Sequence, residues 1–327
     1  RGDVGSAASA YRNMRTLLQG MVAAQSDNPK WQNYLGNAWD DLGKVELEQG
    51  HMARAVADYR TDQQIRAAVA ASAPANHDEQ EDLMVSNAIL GRTLALCGEI
   101  KAALRYTRSA VAIGKTLVTF EPADNDDRED VALYSSQLGG LLRQVGKLDA
   151  AAVANGEAIA IFANLAAKDP TNTIWQREYA QARLELARLQ LQQGSAVTAR
   201  ASAEAALQSL DRLRKQHESN PSLTLLTAQA NLVLGEIAAK QGATVTARNA
   251  WVQARTFATG KSINNDPNAL SVAASASLLL DEKDAALPLL TKLAAMGYHT
   301  PDLVALLASK HLAYVVDPGA ARRSAAA

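Results

Sequence analysis

Five glycines, Gly50, Gly98, Gly146, Gly194 and Gly242, stand 48 residues apart. A fixed interval of this size marks an array of supersecondary units. Leucine keeps the same beat eight residues before each glycine, at Leu42, Leu90, Leu138, Leu186 and Leu234. The residue after each leucine is small: Gly43, Gly91, Gly139, Ala187 and Gly235. Alanine falls five residues after each glycine, at Ala55, Ala103, Ala151, Ala199 and Ala247. It recurs twelve after the glycine at Ala110, Ala158, Ala206 and Ala254, with Asp62 the exception. Each column has a physical reading. The glycine is a corner where a left-handed backbone is needed at the end of a helix. The leucine fills the seam of a helix hairpin, and the small residues let two axes approach to roughly 8–10 Å.

Trp39, Leu42, Gly43, Gly50, Ala55 and Tyr59 together resemble the tetratricopeptide repeat, as do Leu234, Gly235, Gly242, Ala247, Trp251 and Ala254. The units around Gly98 and Gly146 keep the pattern without the aromatic, and the unit around Gly194 is the most degenerate. The resemblance implies an all-α, right-handed solenoid of antiparallel helix hairpins, a TPR-like superhelix. A standard unit has about 34 residues. The surplus here is about four helical turns, as in a long-repeat bacterial variety often found in multidomain signalling proteins.

One period before Gly50 lies Gly2, with Ala7 and Tyr11 in their columns. The expectation is therefore a single solenoid over 1–317 of about six hairpins, the first incomplete, in a fragment of a longer protein. Helices preceding the glycines (A helices) are expected near 30–49, 79–97, 127–145, 173–193 and 222–241. Those following (B helices) fall near 3–27, 51–72, 99–118, 147–167, 195–217 and 243–262. The breaks carry turn chemistry at Asp27-Asn28-Pro29, Ala73-Pro74-Ala75-Asn76, Asp169-Pro170 and Asn220-Pro221. Asp281-Glu282-Lys283 reads as a last corner, a capping helix is expected near 300–312, and 318–327 as a disordered tail.

Composition narrows the function. Lys and Arg number 33 against 34 Asp and Glu, which gives no general pull toward nucleic acid or anionic membranes. Hydrophobic residues reach 48% with only 5% aromatics, a balance that suits close-packed helices. Cys97 is the single cysteine, so no internal disulfide or thiolate metal cluster can form. The sequence shows no secretory signal, and no apolar run that approaches the ~20 residues of a bilayer span.

Several motifs have plainer readings. Arg1-Gly2-Asp3 spells an adhesive tripeptide but fits the corner register. Gly114-Lys115-Thr116 and Gly260-Lys261-Ser262 lack the upstream glycine of a phosphate loop and read as helix stops. Asp124 to Asp130 lacks calcium-loop spacing and reads as a helix start. His51, His77, His217, His299 and His311 are scattered, and His77 reads as solvated. No catalytic, metal or cofactor fingerprint is legible.

In the resembled architecture the A helices line a concave groove. Six residues before the glycines stand Lys44, Arg92, Gly140, Arg188 and Glu236; thirteen before stand Asn37, Val85, Leu133, Gln181 and Gln229. These positions are about two turns apart and share a face. Arg143 lies near that face and stands in for the charge missing at Gly140. The expected site is Asn37, Lys44, Arg92, Arg143, Gln181, Arg188 and Gln229, with a basic track for an acidic or C-terminal peptide. The functional expectation is a non-catalytic protein–protein interaction scaffold without cofactor, nucleic acid or membrane insertion. The alternatives are a sensor region of a larger bacterial signalling protein, such as a receptor Ser/Thr kinase or winged-helix regulator, or a self-association module. Bacterial cytoplasm and periplasm both remain open.

Overall fold

The computed structural model describes residues 4–217, 219–260, 263 and 266–316. The expected turn at Gly2, the Arg1-Gly2-Asp3 string, Lys261-Ser262 and the 318–327 tail lie outside the described residues.

Among the described residues the chain is all α, a TPR-like succession of antiparallel hairpins. The helices are α1 (Val4–Ala24), α2 (Pro29–Glu48), α3 (Met52–Ser72), α4 (His77–Leu96), α5 (Ile100–Phe120), α6 (Asn125–Gln144) and α7 (Leu148–Lys168). They continue as α8 (Thr173–Gln192), α9 (Ala196–Gln216), α10 (Pro221–Lys240), α11 (Thr244–Ala258), α12 (Pro267–Leu279), α13 (Lys283–Met296) and α14 (Pro301–Ser309). Contacts divide the chain into two compact units. The first runs to Asp127 and includes Ala295–His299; the second comprises Arg128–Ala294 and Thr300–Val315.

The A-to-B corners are all built alike. Gly50, Gly98, Gly146, Gly194 and Gly242 have φ between +75° and +83°. After each glycine the next N–H reaches five residues back, as in His51 to Glu46 O at 2.8 Å and Lys147 to Leu142 O at 2.9 Å. This is the Schellman closure, which satisfies a helix-end carbonyl and needs a left-handed residue. Where the beat shortens, Asp281 takes the left-handed position with φ +64° and turns α12 into α13.

The opposite corners hold a column that the glycine register does not reveal. Asn28, Asn76, Asp124, Asn172 and Asn220 are also 48 residues apart. Each side chain accepts a hydrogen bond from an amide in the first turn of an A helix, the N-cap arrangement. The acidic run beginning at Asp124 is thus a helix start, its carboxylate accepting from Asp126 N at 2.7 Å.

Between the corners, volumes are matched within each repeat. A Cβ placed on Gly43 would lie 2.6 Å from the Tyr59 ring, and one on Gly91 would lie 2.5 Å from Thr107 Oγ1. Gly139 faces Asn155 and Gly235 faces Trp251 in the same way. Where the small residue is instead Ala187, the corresponding partner is Ala203, and both are fully buried in one cluster. Thr107 Oγ1 and the Asn155 amide find no hydrogen-bond partner among the described residues, so their contribution is volume.

The exception at Asp62 is built in rather than tolerated. Its carboxylate accepts from Arg66 Nε at 3.2 Å and from Ser86 Oγ at 2.6 Å. Arg66 is only 6% exposed and also reaches Asn33, Asn37 and Asp82. Gly36 makes the room, since a Cβ there would sit 2.9 Å from Arg66 Nε. One buried arginine thus ties α2, α3 and α4 together.

Two expectations need correction. Gly114-Lys115-Thr116 is no helix stop: α5 runs through it to Phe120. Two helices, α7 and α10, are also long and apolar enough to cross a membrane by length and composition. Abundant alanine raises their mean hydropathy without producing an unbroken run of large side chains. Each buries a stripe within the second unit, with Ala158, Phe162 and Leu165 of α7 and Ala230 and Ile237 of α10 fully buried, while Val153 of α7 is exposed.

Candidate peptide-binding faces

In the first unit the A-helix face is largely satisfied by its own neighbours. Lys44 is exposed but its ammonium lies 2.5 Å from Asp40 and 3.6 Å from Asp41 on the same helix. Asn37 is exposed, and its side-chain oxygen accepts from Arg66. Arg92 is exposed and has no ion pair among the described residues. Burial pushes the nearby Tyr59 hydroxyl up, and Asp40 and Arg92 pull on it in opposite directions.

His77 opens α4 and is not simply solvated as expected. Its Nε2 lies 3.0 Å from Asp127 Oδ2, a carboxylate that is 2% exposed. That bond holds the imidazole above its usual range. His77, Asp78 and Glu81 bring ligand-type atoms within 4.8 Å of one another, with Asp78 exposed and the other two half-buried, a trio to which no metal is assigned. Cys97 ends α4, and burial pushes its thiol up to about 11, which makes it a poor nucleophile.

The second unit gathers its charges. Arg143 near the end of α6, Glu185 and Arg188 on α8, and Glu236 on α10 act on one another, with Asp302 at the start of α14 among them. Arg188 pairs with Glu185 one turn earlier. The place beside Gly140 is taken by Glu185, whose Oε2 would lie 3.3 Å from an added Cβ. Burial raises Glu236 to about 7 against the pull of Arg188. Gln181 and Gln229 are partly buried on the same helices.

Arg143 departs furthest from expectation. It is not an open cation standing in for Gly140. It donates to Asp302 through Nη1 at 3.2 Å and Nη2 at 2.6 Å, while Gln144 Nε2 adds a bond at 3.3 Å. Burial pushes the Asp302 carboxyl up, yet Arg143 outweighs it and holds the group below the usual range.

Lys44, Arg143 and Arg188 each have a carboxylate already, and Arg92 alone of the four does not. For Lys44 and Arg188 the neutralising acids stand three or four residues away, where helix geometry puts neighbours. For Arg143 the acid comes from the last helix. The recurring Asn/Asp caps were legible in sequence had the glycine column been shifted to the opposite corner. Asp302 carries no periodic signal.

No protein-family model matches this chain, and no curated protein matches it. Among solved structures, the fold is similar to a Rap protein complexed with competence and sporulation factor. That match has TM-score 0.61 and 14% identity over 89% of this chain and 72% of that one. It is also similar to the Rap conjugation gene regulator of plasmid pLS20 in complex with the Phr* peptide, with TM-score 0.55 and 14% identity over 91% and 74%. A third likeness is to BtubC (BKLC) from P. vanneervenii, with TM-score 0.53 and 16% identity over 79% and 91%. At these identities the likeness is one of fold. None of them bears on a parent kinase.

Proposed function

We propose that this chain is a non-catalytic interaction module that holds a peptide or protein segment along its A-helix faces. One observation carries the reading: the A-helix face of the second unit already receives a carboxylate, from Asp302, on a buried arginine. A face that desolvates a guanidinium and holds a carboxylate on both of its terminal nitrogens is suited to carboxylate recognition. Fold likeness supports the peptide class of partner, since both Rap structures are complexes, one with competence and sporulation factor and one with the Phr* peptide. The regulator named in the second structure favours a regulatory role over a purely structural one.

The test is selection of a random peptide library on the immobilised chain, followed by affinity measurement on the selected sequences. Enrichment in Asp and Glu is expected. Arg92→Glu and Arg188→Glu should weaken binding, at least one of them by roughly tenfold, about 1.4 kcal/mol. Peptides without acidic enrichment, or affinities unmoved by both reversals, would reject the reading.

A further inference from the structure

The carboxylate on the second unit's A-helix face belongs to the chain itself, and the pair that holds it is lopsided. The Arg143 side chain is 9% exposed while that of Asp302 is 53% exposed. The receptor half is buried; the ligand half keeps much of its side chain at the surface, and its carboxyl is desolvated where it meets Arg143. Arg143 Nε, moreover, is buried without a hydrogen-bond partner among the described residues. Its supports come from α6 and α8, where Gln144 shares Asp302 and Gln192 Nε2 reaches the Arg143 carbonyl at 3.5 Å. The ligand half has slighter support. Helix α14 has nine residues, too few to persist by helix propensity alone. It buries Leu303 and Leu307 and is preceded by Gly297 at φ +84°.

We infer that Arg143, with Gln144 and Arg188 beside it, is a receptor for the carboxylate of an acidic peptide, and that Asp302 occupies it in cis as a displaceable stand-in. This rests on the proposed use of the A-helix face and specifies its ligand chemistry. Charge accounting gives the site its selectivity. Glu185 already neutralises Arg188, so departure of Asp302 leaves the partly desolvated Arg143 without its carboxylate. That state is strongly unfavourable unless another anion arrives. The site therefore stays shut against neutral chains and exchanges with acidic ones. Glu236, the remaining acid facing the cluster, opposes an incoming carboxylate once it is ionised.

The experiment uses the full chain, a fluorescein-labelled hexaglutamate, and anisotropy at low ionic strength. Asp302→Asn keeps the shape of the stand-in and removes its charge. It should bind the probe about tenfold more tightly than the parent. Adding Arg143→Gln to Asp302→Asn should abolish the gain, with thermal melts confirming that both variants fold. Saturating probe should also accelerate amide exchange across α14 in the parent chain. Equal affinity of parent and Asp302→Asn overturns the inference, as does a gain that survives Arg143→Gln. Should the parent bind hexaglutamate in a manner lost on Arg188→Glu, with no gain from Asp302→Asn, self-occupation is overturned while the proposed function stands.

Discussion

Among the described residues each unit buries one arginine beside its A-helix face, and the two are satisfied in opposite ways. Arg66 is 6% exposed, Arg143 7%. Arg66 finds Asp62 one turn away and Asp82, Asn33 and Asn37 on the flanking A helices, none more than 33 residues distant in sequence. Arg143 finds its carboxylate 159 residues away. The first arrangement forms whenever adjacent hairpins form. The second exists only once the last helix has docked, so it can also be undone without unfolding a hairpin. Equal burial of two guanidiniums thus conceals different roles: Arg66 is a rivet, Arg143 a latch.

The contrast predicts its largest effect at Arg66. Arg66→Ala leaves Asp62 buried and without its cation, and should cost about 3–5 kcal/mol, read as a fall in the urea midpoint. Adding Asp62→Ala restores the alanine found in the other repeats and should return at least about 1 kcal/mol. A double variant no better than the single one would mean that Arg66 acts by packing alone.

A smaller effect separates the corners. Gly146 and Gly98 share the left-handed backbone, so alanine at either costs about 1–2 kcal/mol. At Gly146 nothing lies within 4 Å of an added Cβ, whereas at Gly98 it would meet the His299 carbonyl at 2.5 Å. His299 N–H also donates to Leu96 O at 2.7 Å. Gly98→Ala should therefore lower the melting temperature further than Gly146→Ala, and equal losses would remove the His299 segment from the first unit's stability.

The smallest effect is electrostatic and depends on pH. Glu236 titrates near 7 in the fold because burial favours its neutral form, above the ordinary range of a glutamate. A raised folded value means that its contribution is fully present below the unfolded value and is lost as pH rises through about 7. Glu236→Gln should melt close to the parent at pH 4.5 and above it at pH 8. A lower melting temperature at pH 8 would show that the attraction of Glu236 to Arg188 and Arg143 exceeds its burial cost.

Much of the fold was legible because it repeats. The five corner glycines, the buried alanines and the breaks at Asn28, Asp169-Pro170 and Asn220 are local requirements of one hairpin restated at each interval. The matching of Gly43 to Tyr59 and of Ala187 to Ala203 was visible in principle, since both members keep the register. The recurrence of Lys44, Arg92 and Arg188 six residues before their glycines was legible too. What surrounds those cations was not. Lys44 is compensated by Asp40 and Asp41 on its own helix, one turn away, a pairing that leaves no mark on the 48-residue beat.

Sequence alone therefore determined the hairpins, their length and their corners, because backbone conformation and seam volume are settled by residues within one period of each other. Only the tertiary structure decided that Arg143 meets Asp302. A link between α6 and α14 leaves no periodic trace, and it depends on where the packing of the intervening helices delivers α14.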